Sequence, residues 1–447
     1  MLADIVYGFQ QSAIAPALPQ VKSTFDASQE WTTWVFSGYL IVASVIPIFG
    51  GKLADRIGRR RVFLAALITF LAGSITAGVA PSIHVVVIGR LIQGAGGIVF
   101  PLSFSILRDH VDQRWVSRGI GILTGGFGFG GLAGFGVGGA LAEFAGWRWI
   151  FGIGVIALML GIIMVRLVIP ESTRRDTGGL DTVGALVLGI VIAALITAVT
   201  EGPRQGWLSL MVVSCFALAI AAAVIWVWHE RRTAYPLMDL QVLTSRVVAF
   251  THISSFCGGY AVFSINIVVP FVIQDPATPH AVFGLTGGAL LTGLVLVPRA
   301  LGQAIAGPVS GPIAQRIGAG WLMSLGLGIQ TVSAVALALW HDDVWAIGVS
   351  LAGLGIGFGT TVSTAGSIVT LSAPSGQTGT ASSLNSVMRR FGGGIGAQVA
   401  TVALAEVTVT VAEQRVPAPS AFSLAFVMAA IASALAAGFA VLAARGR

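Results

Sequence analysis

One short stretch, Gly51-Lys52-Leu53-Ala54-Asp55-Arg56-Ile57-Gly58-Arg59-Arg60-Arg61, combines a single carboxylate, two glycines and a cluster of arginines. The chemistry this suits is electrostatic. A carboxylate held in a tight turn can face a helix N-terminus and accept its orphan N–H groups, while neighbouring arginines pair or anchor. A second set of polar residues lies where the chain is otherwise apolar: Gln10, Gln11, Arg90, Gln93, His252, Asn266, Arg299 and Asn385. A charge inside an apolar span costs ~2.5–3.5 kcal/mol on insertion scales, so Arg90 and Arg299 are expected to face a cavity or a partner. For the uncharged members, hydrogen bonding between helices competes with contact to a bound molecule. Three acids lie near apolar sequence and are candidates to carry a proton: Asp4, Glu143 and Glu406. Of these, Glu406 has the most apolar neighbours, Leu404, Ala405 and Val407.

Catalytic chemistry finds no support. The sequence has no nucleophile with a base at useful spacing, and Cys215 and Cys257 fall inside apolar runs, away from any metal-ligand pattern. There is no G-x-x-x-x-G-K-[ST], and the glycines at 125–139 do not follow a strand, so no nucleotide or other cofactor is expected.

The elements that position these residues follow from composition. The chain is 55% apolar and only 10% charged, whereas soluble domains carry roughly 25% charged residues. Apolar stretches near the ~20 residues needed to cross a bilayer recur along its length. They do not alternate apolar and polar residues as barrel strands would, so they read as helices that satisfy their own backbone in lipid. Charge and turn clusters divide them into fourteen spans. The isoelectric point of about 10.2 reflects arginines in short loops between spans rather than a nucleic-acid footprint. Lys52, Arg56, Arg59–Arg61, Arg108, Arg114, Arg118, Arg174, Arg175, Arg231, Arg232, Arg246, Arg316, Arg445 and Arg447 fall on one side. By the positive-inside rule that side is cytoplasmic and holds both termini. The first span reads as an uncleaved helix, since no basic leader or small-residue cleavage site precedes it. Its Ile14–Gln20 echoes Val268–Gln274, and span nine would place an equivalent start about seven residues before Met1.

A second echo organises the chain. Gly51–Gly58 after span two matches Gly311-Pro312-Ile313-Ala314-Gln315-Arg316-Ile317-Gly318 after span ten. Two six-span halves, 1–172 and 247–447, then flank a linker, 173–246, that carries two extra spans.

At these residues the sequence resembles the major facilitator superfamily, and within it the fourteen-span drug:proton antiporters. The 51–61 stretch matches the superfamily's signature G-x-L-x-D-R-x-G-R-[KR]. Arg90-Leu91-Ile92-Gln93-Gly94-Ala95-Gly96 resembles R-x-x-Q-G-x-G of span four. Gly130, Gly134, Gly138 and Gly139 match the antiporter motif G-x-x-x-G-P-x-x-G-G of span five, with Phe135 where proline is expected. The resemblance implies an all-α fold of two six-helix halves and a two-helix insertion. It also implies proton-coupled efflux of small amphipathic compounds by alternating access in the plasma membrane. The preference for arginine over lysine points to a bacterium, and a monomer is expected. Gly51, Asp55, Arg56, Gly58 and Arg59 would close the cytoplasmic side against span thirteen. Arg90 would relay protons or hold span one. Spans one, four and five would form the cavity with nine, twelve and thirteen. Gln10 stands where many members carry an aspartate, which leaves open a carrier or sensor without proton coupling. The few charges in the spans suit a specific exporter of a metabolite or lipid equally.

Overall fold

The computed structural model describes residues 1–27, 29–171, 181–233, 245–273, 281–282, 285–286, 289–373, 378–411 and 414–444. The N-terminal helices are α1 (Leu2–Thr24), α2 (Gln29–Ile57), α3 (Arg59–Gly78), α4 (Ile83–His110), α5 (Gln113–Phe144) and α6 (Arg148–Val168). Then come α7 (Thr182–Gln205) and α8 (Leu210–Glu230). The C-terminal helices are α9 (Arg246–Ile273), α10 (Ala289–Ile317), α11 (Ala319–Trp340), α12 (Val344–Ser372), α13 (Thr378–Glu406) and α14 (Pro419–Ala444). By length and composition, nine helices among the described residues can cross a membrane. Large apolar side chains such as Leu160, Ile220, Val332 and Ile431 point outward on them, as lipid-facing surfaces require.

Packing repeats with an offset of eight helices. In the first half α1 lies along α5, α3 along α4 and α6, and α2 against α4. In the second half α9 lies along α13, α11 along α12 and α14, and α10 against α12. The halves meet along α5–α10 and α2–α13, and α7 packs on α2 and α13. Asp181 joins α7 to α8: it accepts from Gly184 N at 2.7 Å as the N-cap of α7 and lies 2.9 Å from His229 Nε2 on α8.

Small residues let these seams close. On α5, a side chain at Gly130, Gly134 or Gly138 would meet Ile5, Phe9 or Ala13 of α1. The other α5 face presents Gly121, Gly125 and Gly128 to Gly307, Pro308 and Ala304 of α10. Gly139 differs from the rest of its motif, because nothing lies within 4 Å of a Cβ placed there.

The 51–61 stretch departs from its sequence reading. Instead of a loop, α2 continues through Ile57 and α3 begins at Arg59, with Gly58 alone between them at φ +113°. Gly318 repeats this single-residue break between α10 and α11 at φ +89°. An L side chain is strained in that conformation, so glycine is needed at both positions. Two short antiparallel pairs were not anticipated: β1 (Ala281–Val282) with β2 (Leu285–Thr286), and β3 (Thr408–Val411) with β4 (Gln414–Pro417).

Candidate functional site

Asp55 lies in the last turn of α2 and Arg59 opens α3, so the turn at Gly58 brings the two together. Both are enclosed, at 0% and 1% exposure. Arg59 Nε and Nη2 donate to Asp55 Oδ1 at 3.0 and 2.8 Å. Nη1 donates to Ser105 O at 3.1 Å and to the Asp109 carboxylate. Nη2 also crosses to the other half, donating to Thr378 Oγ1 at the first residue of α13. All five guanidinium N–H groups are thereby used. Arg108 adds a second crossing, with Nη1 donating to the carbonyls of Thr370 and Ala373 at the end of α12, where a cation suits the helix dipole. Glu171 braces the turn from α6: Arg60 N donates to its Oε1 at 3.2 Å, and Arg61 Nε lies 3.5 Å from Oε2. Gly51 is buried, whereas Arg56 is exposed and outside this cluster. The resemblance directs attention to Asp55; in this turn the cation that reaches the other half is Arg59, and its second carboxylate, Asp109, carries no signal in the sequence.

Gln10, Gln93 and Arg90 form one buried network rather than separate cavity groups. Arg90 Nη1 donates to Gln93 Oε1 at 2.8 Å and its Nε to Val35 O at 3.0 Å. Gln93 Nε2 donates to Ser74 Oγ at 2.7 Å and to Gln10 Oε1 at 3.3 Å. The guanidinium carbon of Arg90 lies 4.3 Å from the centre of the Tyr39 ring. This network ties α1, α2, α3 and α4 together inside the first half. No carboxylate belongs to it among the described residues.

A third cluster joins the halves deeper in the bundle. Arg390 lies twelve residues along α13 from Thr378, about 18 Å at the helical rise. It donates to Ala43 O of α2, Gly97 O of α4 and Tyr7 Oη of α1. The two carbonyls share a cause. Pro47 and Pro101 lack the N–H that residue i+4 would give Ala43 and Gly97. A carbonyl freed inside a membrane span must find another donor, and Arg390 supplies one to both. Asp4, one turn before Tyr7, is fully buried; it accepts from Ser103 Oγ at 2.9 Å and lies 3.1 Å from the Met1 amino group.

The remaining candidates scatter. His252 Nδ1 lies 3.3 Å from Asn385 Oδ1, to which Ser255 Oγ donates at 2.8 Å, so these residues bind α9 to α13. Arg299 on α10 is 8% exposed, and its guanidinium sits 5.7 Å from the centre of the Phe135 ring on α5. Gln11 and Asn266 are half-buried, each with an enclosed side-chain oxygen lacking a partner among the described residues. Glu143 is exposed at the end of α5. Glu406 is the last residue of α13, and its side chain lies outside the described residues. A cavity of about 390 Å³ opens at the arginine-rich end of the α5–α10 seam, beside Arg118, Pro308 and Arg316.

The duplicated packing and the Asp55–Arg59 turn agree with a match of residues 1–397 to the Major Facilitator Superfamily. The chain belongs to that superfamily. Superfamily relatives include a multidrug resistance protein B homolog of Mycobacterium tuberculosis, 27% identical over 90% of this chain and 75% of its own. Multidrug resistance protein 3 of Bacillus subtilis is 26% identical over 89% and 77%, and the uridine/deoxyuridine transporter of Lactococcus lactis 30% identical over 76% and 71%. The fold is also that of the human organic anion transporter MFSD10 (TETRAN), with a TM-score of 0.68 at 14% identity, covering 99% of this chain and 96% of that one. The proton:xylose symporter XylE gives 0.65 at 13% identity over 98% and 93%. This chain is therefore a multi-pass membrane transporter for small molecules, in a superfamily of transporters rather than enzymes.

Proposed function

We propose that the protein is a secondary exporter of small amphipathic compounds, driven by protons and working by alternating access. In this reading all fourteen helices cross the plasma membrane, both termini are cytoplasmic and the two six-helix halves, 1–172 and 247–447, rock about the glycine seam between α5 and α10. The observation that carries it is the Arg59 cluster. It links Asp55, Asp109 and Thr378 across the two halves at the arginine-rich end, which makes it a closure that must open once per cycle. Arg108, Gln315 and Arg390 add polar bonds between the halves at that end or at mid-depth. These bonds support a reading in which the two halves are held together at the end placed toward the cytoplasm. Multidrug resistance names among the relatives support amphipathic cargo.

Asp4 is the best placed proton carrier. It is a buried acid on a helix of the cleft, whereas Glu143 is exposed. A carrier without proton coupling is favoured by one observation, the neutral Gln10 in the Arg90 network. Accumulation of a panel of fluorescent amphiphiles in inside-out vesicles tests the proposal. Accumulation abolished by a protonophore and by Asp55→Asn is the expected result. Accumulation of no panel member, or accumulation indifferent to the protonophore, overturns proton-driven export.

A further inference from the structure

We infer that the cargo recognised in the central cleft is an anion: an apolar or aromatic body carrying a carboxylate, sulfonate or phosphate. This rests on the export reading above and narrows its substrate class.

The inference comes from charge placement in the bundle. Four arginines are buried within the spans, Arg90, Arg299, Arg389 and Arg390, and none makes an ion pair among the described residues. Burying a cation is costly unless it is paired or richly hydrogen-bonded. Two of the four meet that condition locally. Arg390 is taken up by two proline-freed carbonyls and Tyr7, and Arg90 by Val35, Gln93 and the Tyr39 ring, with only its Nη2 enclosed without a partner among the described residues.

Arg299 and Arg389 do not. Arg299 makes no hydrogen bond among the described residues, and its Nε is enclosed without a partner. Arg389 has one long contact, Nη2 to Ser386 Oγ at 3.5 Å. Each instead reaches from the second half to a phenyl ring of the first, Arg299 to Phe135 at 5.7 Å and Arg389 to Phe100 at 6.0 Å. A ring face stabilises a guanidinium without saturating its in-plane N–H donors, and so leaves the planar donor fork available for a carboxylate or phosphate. The acids buried in the helices are committed elsewhere: Asp55 to Arg59, Asp181 to His229, Glu201 to Gln205 and Asp4 to Ser103 and the Met1 amino group. The fifth, Glu230, ends α8 in the linker hairpin. The walls between the halves therefore offer guanidinium and aromatic groups together, which complement an anionic amphiphile and repel a cationic one.

Three probes sharing one ring system separate charge from shape: 2-naphthoate, 2-naphthalenemethanol and 2-naphthylmethylammonium. Binding to the purified full-length protein is measured by calorimetry, and movement is measured in proteoliposomes. The naphthoate is expected to bind at least tenfold tighter than the other two. Arg299→Gln should erase that preference, and Arg299→Lys should restore part of it. Equal binding of the three, tighter binding of the ammonium, or no binding of any at millimolar concentration overturns the inference. So does a preference that survives both Arg299→Gln and Arg389→Gln in folded protein. Export of other compounds alongside any of these results leaves the transporter reading standing. Anion-selective binding without gradient-driven movement does the reverse.

Discussion

The stretch Gly51–Gly58 and its repeat Gly311–Gly318 have the same backbone, each ending a long helix at a glycine of positive φ. Each also reaches toward the start of a helix in the opposite half. Arg59 donates to Thr378 at the head of α13, and Gln315 donates to Arg114 O, at 2.6 Å, near the head of α5. Their chemistry diverges. The first carries a buried cation between two carboxylates, Asp55 and Asp109. At the matching positions the second carries the neutral Gln315 and Ala319. The two copies thus share where the contact is made, while only one of them carries a buried charge cluster. Breaking a buried pair by removing one partner costs about 3–5 kcal/mol, whereas an exposed neutral hydrogen bond contributes only about 0.5–1.5 kcal/mol.

That contrast orders the expected effects. Asp55→Asn should insert normally yet lower transport more than tenfold, read as initial rates in proteoliposomes at matched protein levels. Wild-type rates would remove the charged turn from the gating cycle and make the two copies equivalent.

Arg390→Gln comes next. It leaves Ala43 and Gly97 carbonyls without their donor, at about 1–3 kcal/mol for each unsatisfied buried group. A lower unfolding temperature in detergent and a several-fold slower transport rate are expected, with Arg390→Lys intermediate. An unchanged unfolding temperature would show that the proline-freed carbonyls do not depend on this residue.

Asp4→Asn keeps the bond from Ser103 but removes the titratable group. Substrate exchange without a gradient should continue, while the response to an imposed pH gradient is lost. A retained response would exclude Asp4 as the coupling acid and return attention to Glu406. The smallest effect belongs to Gln315→Ala, expected to hold transport within twofold. A loss as large as that of Asp55→Asn would mean that position in the repeat, not charge, sets the strength of the closure.

Much of this was legible in one dimension, and for physical reasons. An apolar run of about 20 residues has one solution in lipid, so the helices follow from hydropathy. Gly58 and Gly318 mark their turns because few other residues adopt that φ. The spacing of Gly130, Gly134 and Gly138 fixes a face, since residues four apart lie on one side of a helix. Single polar residues were harder. Arg90 and Gln93 are three apart on one helix and can be expected to meet, but Gln10 is eighty positions from Arg90 and nothing in the spacing announces that it joins them. Gly139 looks like its neighbours in the motif, yet a Cβ placed there would meet no atom within 4 Å. The 51–61 stretch reads as a loop because its charges are polar, although all but Gly58 can be helical.

What the sequence determined by itself is the class of molecule, its duplicated plan and the glycine turns that end α2 and α10, all set by local rules of burial and backbone conformation. Tertiary structure alone decided the partners. Arg59 finds Asp109 and Thr378, Arg390 finds the carbonyls that Pro47 and Pro101 set free, and Arg299 meets a phenyl ring in place of a carboxylate. Each of these depends on how two halves distant in the chain come together. A buried charge is defined by what surrounds it in space, and linear spacing does not encode that.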